Sequence, residues 1–144
     1  MKVSFDFDGT LSRKDVQRFA KELVAAGHEV WIVTSRVSDE MANNYPVEFK
    51  NRVLKANRKL FRVADNVGIK RNHIIFTGFV NKIEFIKGKD FIFHLDDDLD
   101  ELMEIFSSKD PCKPINVEHS EWEMDCRELI EIEKYLENPN KGYT

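Results

Sequence analysis

The sequence has little of the residue types that mark fibrous, disordered or disulfide-linked proteins. Its 144 residues include six glycines, four prolines and two cysteines, which argues against collagen-like chains, low-complexity chains and a disulfide framework. No run of about 18 apolar residues is present to form a membrane-spanning helix. The first residues also lack the apolar stretch of a secretory signal. We therefore expect a globular protein of the reducing cytoplasm with no membrane partner.

Charge is distributed unevenly along the chain. The net charge is only -4, but segment 50–71 contains eight lysines and arginines and a single acid, which leaves it near +7. The segment 96–137 is acidic. A basic segment can steer an anionic substrate such as nucleic acid or a phosphorylated metabolite, and it is also typical of a solvated helix face. The sequence leaves both interpretations open.

Apolar periodicity predicts alternating strands and helices. Strands are expected at Lys2–Phe7, Glu29–Val33, His73–Phe76, Asp90–Leu95 and Pro114–Val117. Helical spacing runs from Ser12 to Gly27, from Val53 to Gly68, and over Val80–Lys87, Leu99–Phe106 and Glu121–Leu136. This alternation predicts an α/β fold with one doubly wound, Rossmann-like, mostly parallel five-stranded sheet flanked by helices. The core domain is expected to span residues 1–137, followed by a flexible tail over 138–144.

Short polar and glycine signals predict where the first two helices begin and end. Ser12-x-x-Asp15 has the form of a capping box, in which the Ser12 hydroxyl accepts a hydrogen bond from a free N–H of the first turn. Gly27 and Gly68 follow the last apolar positions of the two helices, so they are expected to end them.

Carboxylates and a hydroxyl follow three of the predicted strands at the point where each strand ends. They are Asp6 with Asp8, Thr34, and Asp96 with Asp97. Because ligands of open α/β sheets bind at the carboxyl ends of the strands, we expect these side chains to converge. Four carboxylates in one crevice require a neutralising cation, and hard carboxylate oxygens suit Mg²⁺. The sequence therefore predicts a magnesium site at this edge of the sheet.

Each of these features also has a structural explanation when it is taken alone. Asp8-Gly9 is a common turn, Thr34 can cap the turn that follows it, and acids after the fourth strand can begin a helix. Two further residues keep two interpretations each. His94 is either a satisfied core histidine or a support for the neighbouring carboxylates, and Arg36 is either a substrate contact or a surface residue.

The string Asp6-Phe7-Asp8-Gly9-Thr10 matches the first motif, Asp-x-Asp-x-Thr, of the haloacid-dehalogenase-like phosphohydrolase superfamily. Thr34 ends an apolar strand and matches the second motif, a threonine or serine in that position. The order and strand placement of the motifs agree over residues 1–117. Over this range the chain resembles a member of that superfamily.

More than one residue of the chain can match the third motif and the second acid of the fourth motif. The third motif, a lysine near the start of a helix, is best matched by Lys82, with Lys87 and Lys89 as alternatives. The fourth motif, paired acids after an apolar strand, is matched by Asp96-Asp97, and Asp100 completes a second spacing from Asp96. The resemblance leaves open which lysine binds phosphate and which second acid supports the metal.

The resemblance implies a magnesium-dependent phosphomonoesterase that acts through an aspartyl-phosphate intermediate. Asp6 would be the nucleophile, and Asp8 would protonate the leaving oxygen and then activate water. The residues implied to bind the phosphate are Gly9, Thr10, Thr34, Ser35 and Lys82. Those implied to hold Mg²⁺ are Asp6, the backbone carbonyl of Asp8, Asp96 and Asp97.

The spacing of the motifs leaves no room for the large cap domain that many members of the superfamily carry. Only one helix fits between Leu11 and Glu29, and the stretch from Arg36 to Asn81 is filled by core elements. A capless site accepts bulky phosphoesters or takes cover from a partner subunit, although no oligomer is indicated. The basic segment favours nucleotides or nucleic-acid ends as substrates. The alternatives are a phosphatase of sugars or small metabolites, a phosphotransferase, and a non-catalytic phosphate-binding regulatory domain.

Overall fold

Five parallel strands form the centre of the computed structural model, which describes residues 1–139. They are β1 (Lys2–Phe5), β2 (Glu29–Thr34), β3 (Ile74–Phe76), β4 (Phe93–Asp96) and β5 (Lys113–Asn116). Their order across the sheet is β3-β2-β1-β4-β5, and every neighbouring pair is parallel. The predicted Rossmann-like α/β sheet without a cap domain is confirmed. The predicted tail over 138–144 lies mostly outside the described residues.

The strand order reverses direction at β1, and this reversal positions the crevice where a ligand can bind. The chain moves outward from β1 through β2 to β3 and then returns to the other side of β1 with β4. The connections on the two sides therefore leave on opposite faces, which opens a crevice at the carboxyl ends of β1 and β4. Asp6 follows β1 and Asp96 ends β4, so both lie at this switch point.

Helices cover both faces of the sheet. They are α1 (Lys14–Ala25), α2 (Val47–Val67), α3 (Ile83–Ile86), α4 (Leu99–Ser108) and α5 (Trp122–Glu137), with short 3₁₀ turns at Met41–Asn44 and Arg71–His73. Within residues 1–139, none of the helices combines the length and the apolar character needed to cross a membrane.

The hydrophobic core is divided by the sheet. On β2, Val30 and Ile32 face one cluster, whereas Val33 faces the other, as the alternation of side chains along a strand requires. The larger cluster includes residues of α1, α2 and α5, and the smaller one includes residues of α3 and α4. Phe5 makes edge-to-face contacts with Phe19 and Phe93 in the larger cluster. These contacts anchor β1 and so fix the strand that leads into Asp6.

The predicted N-cap of the first helix is wrong. Helix α1 begins at Lys14 with Arg13 in the N-cap position, and the Arg13 side chain makes no capping hydrogen bond. The Ser12 hydroxyl instead accepts a hydrogen bond from the Gly9 N–H at 3.1 Å, because the tight loop over Phe7–Leu11 uses it first. The predicted end of α2 is confirmed, since Gly68 adopts the left-handed conformation immediately after the helix.

Two helices, α2 and α3, begin three or more residues away from the predicted start. Helix α2 begins at Val47, six residues before the predicted Val53, directly after Pro46, whose fixed φ suits a helix start. Helix α3 begins at Ile83 rather than Val80. The Lys82 N–H that precedes it donates to the Glu101 side chain of α4 at 2.9 Å.

Candidate functional site

A buried lysine joins the two acids at the switch point. Lys82 Nζ lies 2.8 Å from Asp6 Oδ1 and 2.6 Å from Asp96 Oδ2. Lys82 is 2% exposed, Asp6 is 5% exposed and Asp96 is fully buried. The Asp6 N–H also donates to the Leu95 carbonyl at 2.8 Å, which extends the pairing of β1 with β4. Three residues that are far apart in sequence therefore form one ion-paired cluster.

The other two lysines considered for this position lie elsewhere. Lys87 is exposed and pairs with Glu84 on the surface at 3.1 Å, and Lys89 is exposed. Lys82 differs from them because its backbone N–H is held by Glu101. That contact fixes the start of α3, so that the Lys82 side chain enters the cluster.

His94 supports the Asp96 carboxylate from the core. His94 Nε2 lies 2.7 Å from Asp96 Oδ2, and Nδ1 lies 2.8 Å from the Ser4 hydroxyl. Burial lowers the pKa of His94, against the opposing effect of Asp96. A neutral imidazole that donates from Nε2 can accept a hydrogen bond from Ser4 at Nδ1. Both interpretations offered by the sequence therefore apply, since His94 is a satisfied core histidine and also contacts the site.

The buried cluster shifts the pKa values of Asp6 and Asp96 in opposite directions. Burial raises the pKa of Asp6 to about 8, with the charge of Asp96 acting in the same direction and that of Lys82 against it. Burial also acts to raise the pKa of Asp96, but hydrogen bonds from His94 and Lys82 outweigh it and the pKa falls below its usual value. Burial acts to lower the pKa of Lys82, and its two carboxylate partners raise it. Lys82 and Asp96 therefore form the charged pair, and the Asp6 carboxyl holds its proton more tightly.

Asp97 completes a group of three carboxylates that can hold a metal ion. Oxygens of Asp6, Asp96 and Asp97 all lie within 4.8 Å of one another. With all three carboxyl groups ionised, as metal ligands must be, they and the Lys82 ammonium have a formal charge of -2, which a divalent cation balances. Hard oxygen donors of this kind fit Mg²⁺. Asp100 lies outside this group, on the exposed first turn of α4, where its N–H donates to Asp98.

Gly9 lies against the Asp97 carboxylate. A Cβ added at Gly9 would collide with Oδ2 and Cγ of the Asp97 carboxylate, and Gly9 has a φ of +73°. Only glycine adopts this conformation without strain and leaves the space that Asp97 occupies. The Asp8-Gly9 turn therefore brings the backbone of the first motif directly to the third carboxylate.

Asp8 lies at the rim of the site in a bidentate ion pair with Arg36. Arg36 Nε and Nη2 donate to the two Asp8 oxygens at 2.8 and 2.7 Å. Arg36 Nη1 also donates to the Ala56 carbonyl at 2.9 Å and to Asn57 Oδ1 at 3.3 Å on α2. The Asp8 side chain is 60% exposed and does not belong to the carboxylate group. The sequence left the role of Arg36 open, and the structure pairs it with Asp8.

Hydroxyl groups surround the cluster at the same edge of the sheet. The Thr34 hydroxyl is buried and accepts a hydrogen bond from the Arg36 N–H at 3.3 Å. The buried hydroxyls of Thr10 and Thr77 have no hydrogen-bond partner among residues 1–139. Ser35 is half-buried, and its carbonyl accepts a hydrogen bond from the Phe79 N–H. Sequence reasoning missed Thr77, although it directly follows β3 as Asp6 directly follows β1.

A cleft of about 270 Å³ opens beside Asp8 and Arg36, and we call it the α2 cleft. Its walls include Asp8, Ser35, Arg36, Phe49, Val53 and Phe79. Three larger surface clefts of about 490, 560 and 580 Å³ contain neither the carboxylate group nor Lys82 in their walls. The walls of the α2 cleft do not contain them either, and the cleft is of interest because Asp8 of the first motif and its partner Arg36 line it.

Comparisons with protein-family models, with curated proteins and with solved structures gave no match. The function is therefore inferred from the geometry of the site and from the motifs in the sequence.

Proposed function

We propose that the protein is a magnesium-dependent phosphomonoesterase that acts through an aspartyl-phosphate, in the manner of the haloacid-dehalogenase-like phosphohydrolases. The observation that carries the proposal is the buried Lys82 ammonium between Asp6 and Asp96. Burying charged groups is expensive and seldom the most stable way to fill a core. Buried charges with shifted pKa values in a crevice are typical of catalytic sites.

Asp6 is the nucleophile in this proposal. Its carboxylate oxygen forms a bond to the phosphorus, and the bond from phosphorus to the ester oxygen breaks. The leaving oxygen takes a proton from Asp8. Asp8 then removes a proton from the water molecule that attacks the phosphorus, which releases inorganic phosphate and restores Asp6.

Lys82 and the backbone of the first motif bind the phosphoryl group. An ammonium has three donors, and Lys82 uses two of them on Asp6 and Asp96. The third can donate to a phosphoryl oxygen, whose negative charge spreads during transfer. The Thr34 and Thr10 hydroxyls and the N–H groups around Gly9 supply further donors at the same edge.

Magnesium fits the three carboxylates by donor type and by charge. Asp6, Asp96 and Asp97 would hold it together with the backbone carbonyl of Asp8. When bound, Mg²⁺ neutralises charge between the nucleophile and the phosphoryl group.

Arg36 controls the availability of Asp8. A carboxylate held by two guanidinium hydrogen bonds cannot act as a proton donor, so at least one bond must break before the leaving group departs. An incoming phosphate competes for the guanidinium because phosphate also accepts bidentate hydrogen bonds from arginine. In this proposal the substrate releases the general acid as it binds.

We also propose a cytoplasmic location. Cys112 and Cys126 are both free and buried, and burial raises the pKa of Cys112 to about 12. Unpaired thiols of this kind suit a reducing compartment.

Hydrolysis of p-nitrophenyl phosphate with and without Mg²⁺ tests the proposed function. We expect activity that disappears with a chelator and returns when Mg²⁺ is added. Asp97→Asn is expected to raise the Mg²⁺ concentration for half-maximal activity about tenfold or more. Asp100→Asn is the matched control, and it should behave as wild type. Equal metal requirements for both variants would exclude Asp97 as a ligand, and activity in the presence of chelator would contradict the metal proposal.

Gly9→Ala is expected to weaken Mg²⁺ binding, whereas Gly88→Ala is not. Gly9 and Gly88 have φ angles of +73° and +71°, but of these two only Gly9 would place an added Cβ within 4 Å of another residue's atoms. Both alanine variants should lose about 1–2 kcal/mol of unfolding free energy in urea, because alanine is strained at positive φ. Only Gly9→Ala should also show a smaller rise in Tm on addition of Mg²⁺, since its Cβ displaces Asp97. An equal rise in both variants would contradict this contact.

A further inference from the structure

We propose that the α2 cleft binds the base of a terminal nucleotide, so that the substrate is a nucleoside phosphate whose phosphate lies at Asp6. This inference rests on the proposed phosphomonoesterase function and names its substrate class. The cleft begins at Asp8 and Arg36, the groups nearest to where the leaving group would depart. A leaving group bound there extends away from the buried carboxylates and onto the walls of the cleft.

Phe79 forms one wall of the α2 cleft and has an unusual backbone conformation and exposure. It is 70% exposed, and its φ of +71° lies in the left-handed region, which bulky side chains seldom adopt. Three successive N–H groups, of Thr77, Gly78 and Phe79, donate to the Thr34, Arg36 and Ser35 carbonyls at 2.8, 3.1 and 2.9 Å. These hydrogen bonds attach the loop to the segment that follows β2. The backbone of Phe79 is therefore fixed at the edge of the site, and its ring lies mostly in solvent.

A second residue that lines the cleft is also aromatic. Phe49, near the start of α2, contacts the Tyr45 ring with centroids 4.8 Å apart, and the Arg52 guanidinium lies 5.9 Å from the Phe49 ring. Aromatic side chains that face a cleft beside cations bind bases by stacking. A volume of about 270 Å³ lies below the range of about 300–1,000 Å³ typical of pockets that enclose a drug-sized ligand. The cleft therefore suits one ring system rather than a whole large ligand.

A row of cations runs along α2 from the same wall. Arg52, Lys55, Lys59 and Arg62, which we call the basic stripe, recur at helical spacing and are exposed. Within the described part of the chain, none of the four is in an ion pair or a hydrogen bond with an acid. The stripe spans about 15 Å at 1.5 Å per residue. Such a surface attracts the phosphates that follow a terminal nucleotide in an oligonucleotide, whereas a free nucleotide needs only the cleft.

The test compares substrates with and without a base. For wild type, Phe79→Ala and Phe106→Ala, kcat/KM is measured with adenosine monophosphate and with ribose 5-phosphate in Mg²⁺. Phe106 is the matched control, because it is 71% exposed on α4 and does not line the cleft. We expect wild type to prefer the nucleotide. Phe79→Ala should lower the ratio of the two kcat/KM values about tenfold, as expected for loss of a stacked base, and Phe106→Ala should leave it unchanged.

The inference would be overturned if Phe79→Ala left the ratio of the two kcat/KM values unchanged, or if wild type did not prefer the nucleotide. Hydrolysis of ribose 5-phosphate would still uphold the proposed function in either case. If no phosphoester were hydrolysed, the proposed function would fail, and calorimetric binding would then decide on the cleft. Equal Kd values for the two compounds would overturn it. A dimer in sedimentation that Phe79→Ala dissociates would also overturn it, because the cleft would then be a contact between copies.

A second experiment distinguishes a free nucleotide from a nucleotide at the end of an oligonucleotide as the substrate. Lys55→Glu/Lys59→Glu is assayed with adenosine monophosphate and with a 5′-phosphorylated hexanucleotide at several salt concentrations. A fall of about tenfold in the ratio of oligonucleotide to nucleotide kcat/KM, with a weaker salt dependence, identifies a nucleic-acid end as the substrate. An unchanged ratio identifies the free nucleotide. The comparison of Phe79→Ala with Phe106→Ala decides whether the base binds in the cleft.

Discussion

Asp6→Asn is expected to lower kcat for p-nitrophenyl phosphate by about 1,000-fold or more without unfolding the protein. The asparagine amide cannot form the aspartyl-phosphate, so the covalent route is lost and only the binding contributions remain. The fold should persist because the amide oxygen can still accept the Lys82 hydrogen bond. The substitution also removes the like-charge contact with Asp96 that helps to raise the pKa of Asp6.

The measurement pairs steady-state kinetics with urea unfolding. Asp65→Asn is the matched control, since Asp65 is an exposed acid that pairs with Arg71 on the surface, and it should keep wild-type kcat. Wild-type activity in Asp6→Asn would exclude Asp6 as the nucleophile. If wild type and Asp6→Asn were equally inactive on a panel that includes nucleotides and phosphorylated oligonucleotides, the regulatory-domain alternative would replace the enzyme.

Lys82→Met is expected to lower the free energy of unfolding by about 3–5 kcal/mol and to reduce activity severely. Methionine has a similar volume, so the main loss is the ammonium that two buried carboxylates share. Removing one partner of a buried ion pair leaves an uncompensated charge in the core, which is far more destabilising than the pair is stabilising. The loss should fall toward the lower end of this range because Asp6, whose pKa is already raised, can take up a proton.

A double-mutant cycle checks this explanation. Asp6→Asn/Lys82→Met should be more stable than Lys82→Met alone, since an amide at this position is neutral without the free-energy cost of protonating a carboxylate. Lys87→Met is the control, because Lys87 pairs with Glu84 on the surface and surface pairs contribute about 0–1 kcal/mol. Equal urea midpoints for Lys82→Met and Lys87→Met would show that the buried cluster does not exist in solution.

Local sequence patterns were sufficient to predict the sheet and the acids at its edge. Apolar runs such as Glu29–Val33 predict strands because burial drives their pairing regardless of the distant chain. The alternation of strands with helices then requires parallel pairing. Parallel pairing brings the positions that follow each strand to one edge, and so the approach of Asp6 to Asp96 was predictable. The glycine at position 68 likewise ended its helix by a local conformational preference.

Predictions from local sequence patterns were wrong where a side chain forms a hydrogen bond outside the predicted motif. Ser12 has the composition of an N-cap, but its hydroxyl accepts from Gly9 in the preceding loop. The early start of α2 at Val47 was missed because its first turns carry polar residues around Phe49, without a clear apolar stripe. Phe49 lines the α2 cleft instead of the core, and Val47 is exposed.

Only the tertiary structure distinguished residues that are equivalent in sequence. Lys82, Lys87 and Lys89 all lie near one short helix, and the hydrogen bond from the Lys82 backbone to Glu101 decides which of them is buried with Asp6. Asp97 and Asp100 are one turn apart, and only Asp97 lies within reach of the other carboxylates.

The sequence by itself determined the strands, the order of the motifs and the acidic edge, because apolar periodicity and charge act over a few residues. The pairing of Asp8 with Arg36, the support of Asp96 by His94 and the cleft between Phe49 and Phe79 were decided by the tertiary structure. Each of these features joins side chains from different elements. Their distances depend on how the helices pack on the sheet, which no local pattern encodes.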